Sequence, residues 1–310
     1  MGVSKTLTTN SALCTMNFLN GPIGLSALYK TVEKNPASSG SGLSPIPTVV
    51  GMGPENLMQE QRSYKMRTKN LGETTLYFYY NLIGGLSIDN VYSALQDFQP
   101  TVFGVIGSNI TKTSGNGFTL EGSDSSTFSG AATYSNFQLY DQSASDVMLW
   151  YLDTPSSGTA GSTAINGRYW RISCTPDSTW TSDGYLEISS FFLGTHYGFD
   201  RDNASNETLE SYSKSGSNYE GSRFYSSKST VRSFNISSTL LDQTTRTQLG
   251  NDIKMGRHNM ECIIDTSSSI DNATADRGRG LAYGYIGNRF QRNISIDRYE
   301  TFDIQVTESP

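Results

Sequence analysis

Groups that titrate near neutral pH or ligate metal are scarce in this chain, which has two histidines and three cysteines in 310 residues. Cys14, Cys174 and Cys262 lie far apart without paired spacing, which excludes a zinc ribbon or a redox couple and leaves free, buried thiols. His196 and His258 stand in Gly194-Thr195-His196-Tyr197-Gly198 and Gly256-Arg257-His258-Asn259, with no Gly-x-Ser-x-Gly elbow or other activating context around a serine. A loop histidine making ordinary hydrogen bonds is the expectation for each, and the chain reads as not an enzyme. The acidic cluster Asp200-Arg201-Asp202-Asn203 fails the EF-hand template, because Ser205 takes the glycine position and Ser211 that of the bidentate glutamate. No metal and no cofactor is expected.

Charge is also sparse. Asp, Glu, Lys and Arg make up 17% of the residues and the net charge is −6, which argues against phosphate recognition and hence against nucleic acid. Long apolar runs are missing: the most apolar stretch, Leu76 to Leu86, is interrupted by Asn81 and two glycines, so no membrane partner is expected. No apolar h-region or cleavage site follows Met1-Gly2-Val3-Ser4-Lys5. The expectation is a soluble protein made in a cytoplasm. The Asn-x-Ser/Thr triplets at Asn109, Asn203, Asn206, Asn235, Asn272 and Asn293 then read as by-products of composition.

Serine, threonine, glycine, asparagine and tyrosine fill the space, a composition of short strands and turns. The clearest stretch is residues 168–194. Trp170, Ile172 and Cys174 fall on one face of a strand, and Tyr169, Arg171 and Ser173 on the other. Beyond the turn signals Pro176-Asp177 and Asp183-Gly184, Leu186 and Ile188 point inward while Tyr185 and Glu187 point outward. Gly184 and Gly194 read as turns.

Further strands are expected at Thr74 to Ile83, Thr101 to Ile106, Ala132 to Tyr140, Val147 to Leu152, Thr230 to Ile236, Met260 to Ile264, Leu281 to Ile286, Asn293 to Ile296 and Thr301 to Val306. Val147 to Leu152 is apolar throughout and so buried on both faces. One helix is expected from Asp242 to Met255: Asp242 or Thr244 caps it, Leu249 and Ile253 share a face, and Gly256 ends it. The fold class is mainly β, an antiparallel β-sandwich of jelly-roll or galactose-binding-like type with one short helix and an extended N-terminal arm.

That arm is residues 1–60, ahead of a sandwich domain at 61–310. Asn20-Gly21-Pro22, Asn35-Pro36, Pro45-Ile46-Pro47 and Gly53-Pro54 break any helix or central strand. Phe18, Leu19, Ile23, Leu25 and Tyr29 nonetheless supply apolar contacts, as an arm lying along a neighbouring subunit would. After it, Tyr64 to Asn70 alternates and places Lys65, Arg67 and Lys69 on one face, either a charge-protected edge strand or a docking strip for an acidic neighbour. The segment Thr195 to Ser229 reads as an aperiodic recognition loop, mixing Tyr197, Phe199, Tyr212, Tyr219, Phe224 and Tyr225 with Ser, Gly and Asn. Arg277-Gly278-Arg279-Gly280 is a single copy before a strand and reads as a tight turn.

The sequence Tyr169-Trp170-Arg171-Ile172, followed by Asp183-Gly184-Tyr185-Leu186-Glu187-Ile188 and Phe192-Leu193-Gly194, resembles a segment of virion structural proteins of tailed bacteriophages. The likeness runs on more weakly through Asp242 to Met255 and Met260 to Asp265, covering about the second half of the chain. It implies a β-sandwich and a non-enzymatic subunit of a tail tip, baseplate or neck. The implied partners are other virion proteins and copies of itself, and the implied place is the virion, assembled in the host cytoplasm. A carbohydrate-binding or receptor-binding fibre module gripping a host glycan is the second expectation. A sandwich-type esterase or glycosidase is the third.

Overall fold

The computed structural model describes residues 11–15, 17, 19, 26–34, 42–59, 62–72, 74–82, 100–111, 117–134, 141–142, 147–152, 168–199, 206–211, 214–217, 223–226, 230–239, 249, 260–265, 281–294 and 300–309. These form strands β1 (Ser11–Thr15), β2 (Ser26–Lys34), β3 (Leu43–Pro45), β4 (Met66–Arg67), β5 (Thr75–Leu82), β6 (Val102–Ile106), β7 (Phe118–Ser123), β8 (Ala132–Tyr134), β9 (Asp141–Gln142) and β10 (Val147–Tyr151). The second half adds β11 (Tyr169–Cys174), β12 (Glu187–Ile188), β13 (Ser190–Phe199), β14 (Asn206–Ser211), β15 (Lys214–Ser217), β16 (Arg223–Ser226), β17 (Thr230–Thr239), β18 (Met260–Asp265), β19 (Leu281–Ile294) and β20 (Glu300–Glu308).

A ten-stranded sheet runs in the order β14-β17-β20-β19-β18-β1-β13-β6-β10-β9, and a six-stranded sheet in the order β3-β2-β5-β11-β7-β8. Pairs β12-β4 and β15-β16 complete the set among the described residues, and the ladders are antiparallel. The chain is mainly β, an antiparallel sandwich.

The two sheets meet through aromatic rings supplied by their inward-facing positions. Phe78 of β5 lies edge-on to Phe191 of β13 at 5.1 Å between centroids, and Phe118 of β7 does the same to Trp150 of β10 at 5.7 Å. Phe103 of β6 stacks on Trp150 at 5.4 Å. Each such pair adds about 0.5–1.5 kcal/mol beyond its buried area, so this layer fixes how the sheets sit on one another. Trp170, Ile172 and Cys174 are buried as their alternation predicts, and Val147 to Trp150 are buried on both faces. All three cysteines are buried and none is in a disulfide.

The first sixty residues do not stand apart as an arm. β1 is an interior strand of the ten-stranded sheet, pairing Cys14 with His196 of β13 on one side and with Ile263 of β18 on the other. Leu13, Cys14 and Leu19 are buried. Asn17 seals the segment: its Nδ2 donates to Phe191 O at 2.9 Å and to the Glu261 carboxylate at 2.8 Å, while its Oδ1 accepts from the amides of Leu19 and Leu193. A short 3-10 turn at Pro54–Met58 buries Leu57, and Asn56 ties it to Gly51 O and Lys65 O. Among the described residues, Pro45 and Pro54 lie at the ends of short elements, and Asn20-Gly21-Pro22 and Asn35-Pro36 lie outside the described residues.

Three smaller expectations also change. The two segments of residues 168–194 belong to different sheets, since β11 pairs with β5 and β7 whereas β12 pairs with β4. Gly184 does take a turn, at φ +76°, but Gly194 lies within β13 opposite Val102. The segments expected at Leu281 to Ile286 and Asn293 to Ile296 join as one strand, β19, with a register shift between Ile286 and Phe290. Of the expected helix, Leu249 is helical and buried; its other residues lie outside the described ones.

Candidate docking face

The six-stranded sheet has one face in the core and one face outward. Along β5 Leu76, Phe78, Tyr80 and Leu82 are buried in the main core, so Thr75, Tyr77, Tyr79 and Asn81 take the outer face. Cross-strand register then places Lys30, Val32 and Lys34 of β2, Tyr169, Arg171 and Ser173 of β11, and Thr119, Glu121 and Ser123 of β7 beside them. In β2 the register slips between Leu28 and Lys30, inserting Tyr29 as an extra residue. The bulge sets the Tyr29 ring 6.0 Å from Tyr79 and 6.3 Å from Tyr169, with the residue 45% exposed.

Arg171 is the centre of this face. Its guanidinium makes a two-pronged contact with Glu121, Nε–Oε2 at 2.5 Å and Nη2–Oε1 at 2.6 Å, and lies 4.6 Å from the Phe128 ring and 5.5 Å from Tyr77. Burial works against the charge, but hydrogen bonds to Glu121 and Tyr79 outweigh it and hold Arg171 above its ordinary value. Burial likewise pushes the hydroxyls of Tyr77 and Tyr29 up, so both stay neutral donors at physiological pH. Phe128 reaches the site from the loop after β7 and adopts φ +56°, a region a bulky side chain occupies only under constraint. Lys30 sits 5.2 Å from the Tyr79 ring, and Arg168 5.5 Å from that of Tyr169 while donating to Asn81 Oδ1.

Of the residues singled out in the first sixty, Tyr29 alone is placed on this face among those described. Leu19 is core, and Phe18, Ile23 and Leu25 lie outside the described residues. Lys65 and Arg67 do share a face, with Met66 buried between them and Thr68 buried just beyond, but their acidic neighbour is internal. Glu187 of β12 meets Lys65 Nζ at 2.8 Å and Arg67 Nη2 at 2.5 Å, and Arg67 also covers the Tyr185 ring at 4.5 Å. Burial opposes ionisation of Glu187, yet the two cations hold it below the usual carboxylate range. Lys69 is exposed, its backbone N–H donating to Pro47 O. The strip is an internal ion pair rather than a free docking strip.

The segment from Thr195 to Ser229 is not an aperiodic loop. It contains the end of β13 and strands β14, β15 and β16. Tyr197 is a 6% exposed core residue opposite Leu13, which removes it as a contact residue. Phe199 belongs to β13, and Phe224 and Tyr225 to β16; Tyr212 and Tyr219 lie outside the described residues. His196 is a strand residue rather than a loop one, with Nδ1 2.8 Å from the hydroxyl of Thr101, which its own backbone N–H also reaches. Asn109 of the first Asn-x-Thr triplet spends its amide on Asp183 and Tyr185 O and its carbonyl on the Glu187 N–H. His258, Asp200 to Asn203 and Arg277 to Gly280 lie outside the described residues. Among the described residues no group of three or more His, Cys, Asp or Glu side chains is placed to hold a metal ion, and no helix is long and apolar enough to cross a membrane.

Tyr77, Tyr79, Glu121 and Phe128 were missed as residues of this face, Tyr79 and Phe128 being buried within it. A signal for two of them was present: Leu76-Tyr77-Phe78-Tyr79-Tyr80 alternates aliphatic or ring positions with tyrosines, so each face of β5 carries aromatics. No protein-family model matches the chain, and no curated protein sequence matches it.

Proposed function

We propose that this chain is a non-enzymatic β-sandwich subunit of a multi-subunit assembly, working through protein–protein contacts made by the outer face of its six-stranded sheet. The assembly to which the sequence resemblance points is a tailed-phage virion, at the tail tip, baseplate or neck. The observation that carries the reading is the exposed Tyr29 ring set beside half-buried Tyr169 and Arg171, with Tyr79 buried beneath them. Tyrosine and arginine dominate the energetics of protein interfaces because they bury large area while keeping hydrogen-bonding ends. The N-terminal segment no longer supports the reading as a free arm; Tyr29 is its contribution.

On this face, ring geometry supports a protein partner more than a glycan. A sugar chain lying on a flat platform needs coplanar rings, whereas Tyr29 is tilted 57° to Tyr79 and 76° to Tyr169. These rings pack edge-on into one another and leave a ridged surface that suits side chains of a protein.

Electron microscopy of the native assembly combined with lysine cross-linking tests the proposal. Cross-links from Lys30 and Lys34 to other subunits are expected. Recovery of the chain as a solitary species whose face tyrosines grip an oligosaccharide would overturn it.

A further inference from the structure

Away from the sheet face, exposed apolar side chains gather at the corner where residues 48–52 meet β4. Met52 N donates to Val49 O at 2.9 Å and closes a turn in which Gly51 takes φ +77° at the third position, the geometry of a type II turn. Val50 fills the second position, where proline is common, and is 96% exposed. Val49 and Tyr64 are exposed beside it. Asn56 brings them together, since its Nδ2 donates to Gly51 O at 3.1 Å and to Lys65 O at 2.9 Å. Val49 N to Arg67 O and Arg67 N to Met52 O, both 3.0 Å, fix the turn to β4. The tip is therefore ordered in the free chain, and docking does not have to order it.

We infer that Val50, flanked by Val49 and Tyr64, is an anchor that enters a concave apolar pocket on a different protein subunit. The inference adds a second contact to the sheet face and rests only on the reading that the chain works against protein partners.

Charge selects a protein over a membrane surface. Lys65, Arg67 and Lys69 lie near the tip in sequence, but Glu187 takes the first two. Asp183 is exposed and acts on Arg67, and Glu55 holds an exposed carboxylate against Gly53, just past the turn. Among the described residues these three cations thus face three carboxylates. An anionic lipid surface calls for cations in surplus, whereas the rim of a protein interface is polar and mixed in charge.

Shape selects a different subunit over a twofold copy. A side chain with nearly all its surface in water is a convex tip, and a twofold axis beside it would set two such tips point to point. Covering the Val50 methyls takes a concavity.

The substitution Val50→p-benzoylphenylalanine, irradiated in the native assembly, tests this. Mass spectrometry should find position 50 joined to apolar residues of a different chain. In competition with the unaltered chain, Val50→Asp should enter the assembly about tenfold less well, and Val50→Ile equally well. Neither should move the thermal midpoint of the isolated chain, because the site is exposed. No cross-link, cross-links confined to a second copy, or Val50→Asp entering as readily as the unaltered chain would each overturn the inference. So would sedimentation of the chain with phosphatidylglycerol vesicles that Val50→Asp abolishes. If Val50→Asp enters normally while Lys30 still cross-links to another subunit, the anchor is wrong and the sheet face stands. If neither position reaches another subunit, the protein-partner reading fails as well.

Discussion

The Nδ2 of Asn17 donates to the carboxylate of Glu261 at 2.8 Å across 244 positions of sequence. Both groups are buried, and Glu261 also bonds the Tyr283 hydroxyl. Replacing Asn17 by Leu removes four hydrogen bonds and leaves the carboxylate and two backbone amides short of partners. A loss of about 2–4 kcal/mol is expected, read as a lower midpoint in urea.

Deleting residues 1–16 separates an arm from a strand. An arm lost from its neighbour would leave the monomer's stability unchanged. Here the deletion opens the ladder between β13 and β18 and exposes both strands along β1, so the truncated protein should be insoluble or unfolded by far-UV circular dichroism.

Acid should act through Glu187. Its value in the folded chain is lowered, so its pairing with Lys65 and Arg67 contributes fully above the ordinary glutamate value near 4.5 and is lost as pH falls through the lower, folded value. The native protein should therefore lose stability below about pH 4.5 more steeply than Glu187→Gln does, when both are unfolded in urea across that range.

Phe128 allows backbone strain and ring packing to be separated. Phe128→Ala loses the ring that covers Tyr79 and Arg171 and keeps an unfavourable φ of +56°. Phe128→Gly loses the same ring but adopts that φ freely. The Gly variant should be the more stable of the two by about 1 kcal/mol in thermal unfolding, reversing the usual order for these residues.

Strand positions were legible because a period of two is local: the faces of Trp170-Arg171-Ile172 and of Lys65-Met66-Arg67 follow from the residues themselves. Partners were not, because pairing is decided across the fold. Nothing in Ser11 to Thr15 says that it fits between β13 and β18, and nothing near Lys65 names Glu187. The bulge that delivers Tyr29 carries no glycine to announce it. Dense Pro and Gly in residues 20–54 was read as a missing core, whereas nine-residue β2 within that span is an interior strand of the six-stranded sheet. Tyrosines in the segment after Thr195 drew attention by number, yet what matters is which side of a strand they take, as buried Tyr197 and exposed Tyr29 illustrate in opposite senses.

The place of β1 also sets an order of events during synthesis. Its two partners end at Phe199 and Asp265, so once β1 has left the ribosome about 250 more residues must follow before its ladder closes. At about 5–20 residues per second that is roughly 10–50 s with Leu13 and Cys14 uncovered. The ten-stranded sheet therefore closes around β1 only after β18 has been made, and among the described strands β1 has most need of a chaperone.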